Sequence, residues 1–178
     1  MTGYLATMNK IIGICLILVL TAACRQSDKT GKEIVFPDKA VFTRLAKDTV
    51  PFETNRPVWK IVAYADTADC MGCKLYLDRW KMWMEGADAP DKDKAMFLFF
   101  LYPDDREELQ FLLEGDEFDY PVCIDMDNRM GELNGFTADT YLLLDAENRV
   151  VLTGNPIADE RTKRLYLERI EKSHRNRR

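Results

Sequence analysis

The chain has 178 residues, 47% of them hydrophobic and 31% charged, with a formal net charge of −5. That length fits one domain with an appendage, and the apolar content suffices for a real core, which excludes a disordered chain. The mild acidic balance excludes a basic nucleic-acid footprint, so the cationic end at His174, Arg175, Arg177 and Arg178 reads as a solvated tail.

In chain order, Met8-Asn9-Lys10 opens a short polar stretch, residues 11–20 are apolar, and Thr21-Ala22-Ala23 supplies the small residues of a cleavage site before Cys24. This is the pattern of an export signal, with Met8 the expected start and residues 1–23 removed. Ten apolar residues are too few to cross a bilayer as a helix. Residues 24–57 are expected to form a tether and N-terminal extension. The polar stretch 25–32 is the tether itself. Residues 33–36 predict a short strand stopped by Pro37, residues 41–46 a short irregular or helical piece, and residues 48–57 a loop with an edge strand near Val50.

Residues 58–178 carry the predicted domain. Residues 58–65 predict a buried strand. Cys73, Tyr76, Leu77, Trp80, Trp83 and Met84 recur as one helical face, which predicts a helix from Cys73 to about Glu85 with Gly86 as its C-cap. The uninterrupted apolar run 95–102 predicts a central strand covered on both faces. Asp105 followed by Glu108 predicts a capped helix ending at Gly115, with Leu109, Leu112 and Leu113 toward the sheet. Residues 121–125 predict a third strand, 126–133 a turn and short helix closed by Asn134-Gly135, and 140–145 with 149–153 a hairpin. A last helix is expected from Asp159 to about Lys172, with Leu165, Tyr166, Arg169 and Ile170 near one face. Strands alternating with helices predict a mixed sheet: parallel in its middle, with antiparallel pairing where the hairpin joins.

The chemistry concentrates in Cys70-Met71-Gly72-Cys73, placed where a strand hands over to a helix. The first N–H groups of a helix lack partners and carry partial positive charge, which stabilises a thiolate. Residues three apart on a helix lie close enough for a disulfide. Cys70 is expected to attack and Cys73 to resolve. Asp66 and Asp69 push the Cys70 thiol up, while the helix start and Lys74 pull it down. As a mere staple this four-residue loop would contribute only about 2 kcal/mol. A closed zinc site needs a second ligand pair, and the chain offers one histidine, His174, and the isolated Cys123. Cys123 reads as a buried structural thiol, with a disulfide to Cys70 or Cys73 as the alternative. Trp80, Trp83, Met82 and Met84 read as helix packing and rim.

The strand, the CxxC pair and the helix resemble the redox site of thioredoxin-fold proteins, and the chain is most similar to the membrane-tethered thiol–disulfide oxidoreductases of the TlpA/ResA type. Residues 118–125 match that family's strand entry, and residues 141–145 with 148–151 match its hairpin; the resemblance covers residues 58–172. It implies an α/β fold, a thioredoxin-like mixed sheet flanked by helices. Cys70 and Cys73 fall on the family's redox pair. The family's tryptophan before the first cysteine is replaced by Asp69, and its cis-proline before the hairpin strand by Ala138 or Asp139, where a trans peptide is expected. The first 24 residues resemble a bacterial lipoprotein signal, with Thr21 where a large aliphatic residue is usual and Cys24 as the acylated cysteine. The resemblance implies a lipid-anchored, periplasm-facing oxidoreductase. Its cofactor is its own Cys70–Cys73 disulfide, and its partners are exported proteins and a membrane electron donor. Other readings are a redox-inactive binding or assembly module and, through Thr67-Ala68-Asp69-Cys70, a peroxiredoxin-like peroxide reductase. A Sco-type copper site needs wider cysteine spacing and a histidine inside the fold.

Overall fold

The computed structural model describes residues 30–66 and 75–175. Its described strands are β1 (Phe42–Arg44), β2 (Asp48–Val50), β3 (Trp59–Asp66), β4 (Ala95–Tyr102), β5 (Val122–Ile124), β6 (Thr140–Leu144) and β7 (Val150–Thr153). They form one sheet in the order β2-β1-β5-β4-β3-β6-β7. The described helices are α1 (Leu77–Glu85), α2 (Arg106–Gly115), α3 (Arg129–Asn134) and α4 (Glu160–Arg175). None of these is long and apolar enough to cross a membrane.

β3, β4 and β5 run parallel, and β6 pairs antiparallel with β3. The apolar run in β4 has the expected cause: both of its faces are covered. One face of the sheet presents Ile61, Ala63, Ala65 and Phe99 to Trp80 and Trp83 of α1, Leu109 and Leu113 of α2, and Tyr166 and Ile170 of α4. The rings interlock, Trp80 edge-on to Phe99 at 5.2 Å and Trp83 edge-on to Phe97 at 5.2 Å. So the tryptophans are packing residues and the exposed Met82 stands on the rim, as expected. In α4, Tyr166 and Ile170 are buried but Leu165 faces solvent. The helix α2 starts as its sequence requires: the Asp105 carboxylate accepts the N–H groups of Glu107 at 2.7 Å and Glu108 at 3.1 Å.

The other face is closed by α3 and by the N-terminal segment. Ile34 is buried there, and Phe36 stacks on Phe100 at 5.7 Å. The strand expected at residues 33–36 is reduced to one bridge, Glu33 with Arg149. Beyond it, the side chain of Asn134 does a strand's work. Its Oδ1 accepts from the Val35 N–H and its Nδ2 donates to the Val35 carbonyl, both at 2.9 Å.

Residues 41–46 are neither irregular nor helical, as was expected of them. Phe42–Arg44 pairs with β5 and with β2, so the second edge of the sheet is also antiparallel. The edge strand expected near Val50 is β2. Leu45 and Ala46 both have positive φ, and the Lys47 N–H reaches the Arg44 carbonyl at 2.9 Å. That is a tight hairpin turn made without the Asn or Gly that usually marks it. Ala46 is buried in the core and Leu45 packs against it, which holds the turn in this conformation.

Candidate functional site

Cys70 and Cys73 lie outside the described residues, as do Thr67, Asp69, Lys74 and Cys24. The structure describes what flanks the pair. β3 ends at Asp66, and α1 begins at Leu77. Between them the helix expected to run unbroken from Cys73 is interrupted: Tyr76 has φ 45° and ψ 47° and stands as the N-cap of α1. The cause is burial. Leu75 and Leu77 are both in the core, and residues two apart point nearly opposite ways on a helix. A left-handed Tyr76 turns both inward and leaves its own ring partly exposed, with the Arg79 guanidinium 5.2 Å from its centre. The N-terminal dipole of α1 therefore belongs to Leu77 and its neighbours.

Residues 136–140, where the family carries its cis-proline, come to the end of β3. Tyr64 pairs with Thr140 and Ala63 with Tyr141. The Asp139 carboxylate accepts the Asp66 N–H at 3.0 Å, four residues before Cys70. Among the described residues there is no cis peptide bond, so the Ala138–Asp139 bond is trans, as expected. Tyr141 stacks on Trp80 at 6.2 Å. Burial, then the charge of Asp139 and the neighbouring Tyr76, push its phenol up to about 12. Tyr76, Tyr141 and Asp139 thus gather around the exit of β3. The sequence marked Asp139 only as a missing proline, Tyr76 only as part of a helical face and Tyr141 only as part of the hairpin.

Cys123 is a buried free thiol. It faces the side of Phe42 and Phe100, while Val122 and Ile124 face the opposite side. Burial first, and the nearby Asp125 second, push it up to about 12, against a hydrogen bond with the Val41 backbone. It is protonated at neutral pH and inert as a nucleophile. The structural reading of Cys123 holds. The side chain of His174 lies outside the described residues, and among those described no cluster of His, Cys, Asp and Glu could hold a metal ion.

No protein-family model matches the chain, and no curated protein matches it by sequence. Solved structures do match. The thioredoxin domain of a thiol–disulfide oxidoreductase from Bacteroides vulgatus superposes with a TM-score of 0.55 at 12% identity, covering 77% of this chain and 97% of that one. The exposed lipoprotein thioredoxin of Streptococcus pneumoniae gives 0.53 at 16% identity over 72% and 97%. StoA from Bacillus subtilis gives 0.51 at 12% identity over 64% and 84%.

The fold is thioredoxin-like. At these identities the likeness is one of fold. Within it the parallel core β3-β4-β5 and the hairpin β6–β7 stand where the sequence placed them, and the junction between β3 and α1 carries the CxxC pair.

Proposed function

We propose that this protein is a thiol–disulfide oxidoreductase of the bacterial envelope, held to a membrane by lipid on Cys24 with its domain facing the periplasm. One observation carries the reading: a CxxC pair interrupts the junction of β3 and α1 in a thioredoxin-like fold. The likeness in fold to an exposed lipoprotein thioredoxin supports an envelope location.

The Cys70 thiolate attacks one sulfur of a substrate disulfide, forms a mixed disulfide and expels the other sulfur as a thiolate. The Cys73 thiolate then attacks the Cys70 sulfur, expels the second substrate thiolate and closes the Cys70–Cys73 disulfide. Two electrons pass to the substrate. A membrane-bound thiol donor restores the pair.

Insulin reduction by the purified chain, with dithiothreitol as electron source, tests this. Precipitation should outpace dithiothreitol alone, and Cys70→Ser should abolish the gain. A chain no faster than dithiothreitol refutes turnover. Mixed disulfides that accumulate in Cys70→Ser rather than in Cys73→Ser refute the order of attack. A binding module without turnover is the second reading, favoured by Asp139 in the place of proline.

A further inference from the structure

A groove of about 720 Å³ opens beside β5, between residues 37–41 and the stretch 123–133. Its place in the sheet matters. Ala65 pairs with Leu101 and Leu101 with Ile124, so the row across β3, β4 and β5 is in register. Two strand spacings separate the exit of β3 from the exit of β5, about 10 Å. The groove and the exit of β3, from which the chain runs on to the CxxC pair, therefore lie at the same end of the sheet, the groove on the face of Cys123 and α1 on the other.

The lining has two characters. Val41, Met126 and Leu133 are 54%, 44% and 50% exposed, so three of the large exposed apolar side chains of the described residues meet in one hollow. The rim is acidic. Asp38, Asp127 and Glu132 are exposed and make no ion pair among the described residues, against Lys39 and Arg129. Asp125, the most buried carboxylate, is already engaged: its two oxygens accept the N–H groups of Arg129 at 2.9 Å and Met130 at 2.7 Å. The floor at Cys123 is a protonated thiol. A small-molecule site would offer convergent, buried polar groups, and this hollow offers none that is free. Apolar side chains under an acidic rim fit a polypeptide that brings alternating aliphatic and cationic side chains.

We propose that this groove docks an extended cationic–aliphatic segment of the exported protein whose disulfide the CxxC pair exchanges. The inference rests on the redox reading for the nature of the partner. Docking at the end of the sheet from which the CxxC stretch departs raises the local concentration of the substrate disulfide, which gives selectivity among exported chains.

The test uses a fluorescent hexapeptide of alternating Lys and Leu, its Glu-for-Lys counterpart, and the full-length chain. Anisotropy should report binding of the cationic peptide that weakens with salt, and no binding of the acidic one. Asp127→Lys with Glu132→Lys should weaken it at least tenfold, and Leu133→Asp at least fivefold. Asp116→Lys, an exposed change at the C-terminal end of α2 and outside the groove, should leave it unaltered. Equal binding of both peptides, or groove variants that bind like wild type, overturns the proposal. So does a concentration-dependent dimer that Leu133→Asp dissolves, because a second copy then covers the groove. The pre-reduced chain is also reacted with a small aromatic disulfide that needs no docking. The groove variants should match wild type in this reaction. If wild type fails to reduce it while the cationic peptide still binds, the redox reading falls and the docking surface stands.

Discussion

Asn134 gives the sharpest test of how the N-terminal segment is held. The residue is 2% exposed and closes a pair of amide hydrogen bonds with Val35 across 99 positions of sequence. Its Nδ2 also donates to the Met130 carbonyl at 3.0 Å. Replacement by Ala removes three neutral hydrogen bonds to backbone groups, two of them to the half-exposed Val35, whose N–H and carbonyl can take water instead. The expected cost is about 2 kcal/mol. Replacement by Asp keeps an acceptor for the Val35 N–H. It also turns a carboxylate oxygen toward the carbonyls of Val35 and Met130, where a donor stood. A buried charge facing two acceptors costs about 3–5 kcal/mol, up to half of a typical domain's stability. So Asn134→Asp should be the worse change at pH 7. Protonation restores a donor, so the gap to Asn134→Ala should narrow as pH falls through the carboxyl range. Urea denaturation followed by fluorescence of the buried Trp80 and Trp83 measures this directly. Limited proteolysis should show residues 30–36 freed in both variants. If Asn134→Asp equals or exceeds Asn134→Ala in stability at pH 7, the amide does not donate to those carbonyls and the clamp is wrongly drawn.

Three further outcomes follow from buried groups. Lys60 is fully buried beside Leu144, with the Val58 carbonyl at 3.3 Å, and desolvation pulls its amine below 10.5 against the pull of Asp145 and Glu147. Between its lowered folded value and 10.5 the unfolded chain holds the proton and the folded one does not, so stability rises with pH across that window. Lys60→Met should be more stable than wild type at pH 7 and should flatten that rise; a variant that keeps the slope assigns it to another group. A Cβ on Gly131 would collide with the Asn128 carboxamide and stand 2.7 Å from the Tyr64 hydroxyl, breaking their 2.7 Å hydrogen bond. Gly131→Ala should therefore cost about 2–4 kcal/mol in urea unfolding, and a loss under about 0.5 kcal/mol would show that α3 shifts freely. Cys123, pushed up to about 12, should resist maleimide in the native chain at pH 7 and react once the chain unfolds; native labelling by mass spectrometry would contradict its burial.

What could be read from the sequence follows the range of the forces involved. β3 and β4 were legible because a strand covered on both faces must be apolar throughout. The start of α2 was legible because Asp105 caps its own next turn. The β6–β7 hairpin was legible because residues 146–148 break two apolar runs, and Asn148 takes φ 63° there. The CxxC pair was visible as spacing alone.

The sequence by itself determined the parallel core, the hairpin edge and the motif at the strand–helix junction, since each depends on residues within a turn or a strand of one another. Tertiary structure decided the rest. Leu45-Ala46 adopts a turn that only core packing favours, and Tyr76 breaks a helical pattern because Leu75 and Leu77 are both drawn inward. Asn134 completes the pairing of a segment 99 residues away. Asp139 meets the end of β3 only because β6 lies beside it. Such contacts leave no local periodicity, because the stabilising partner is supplied by a distant part of the chain.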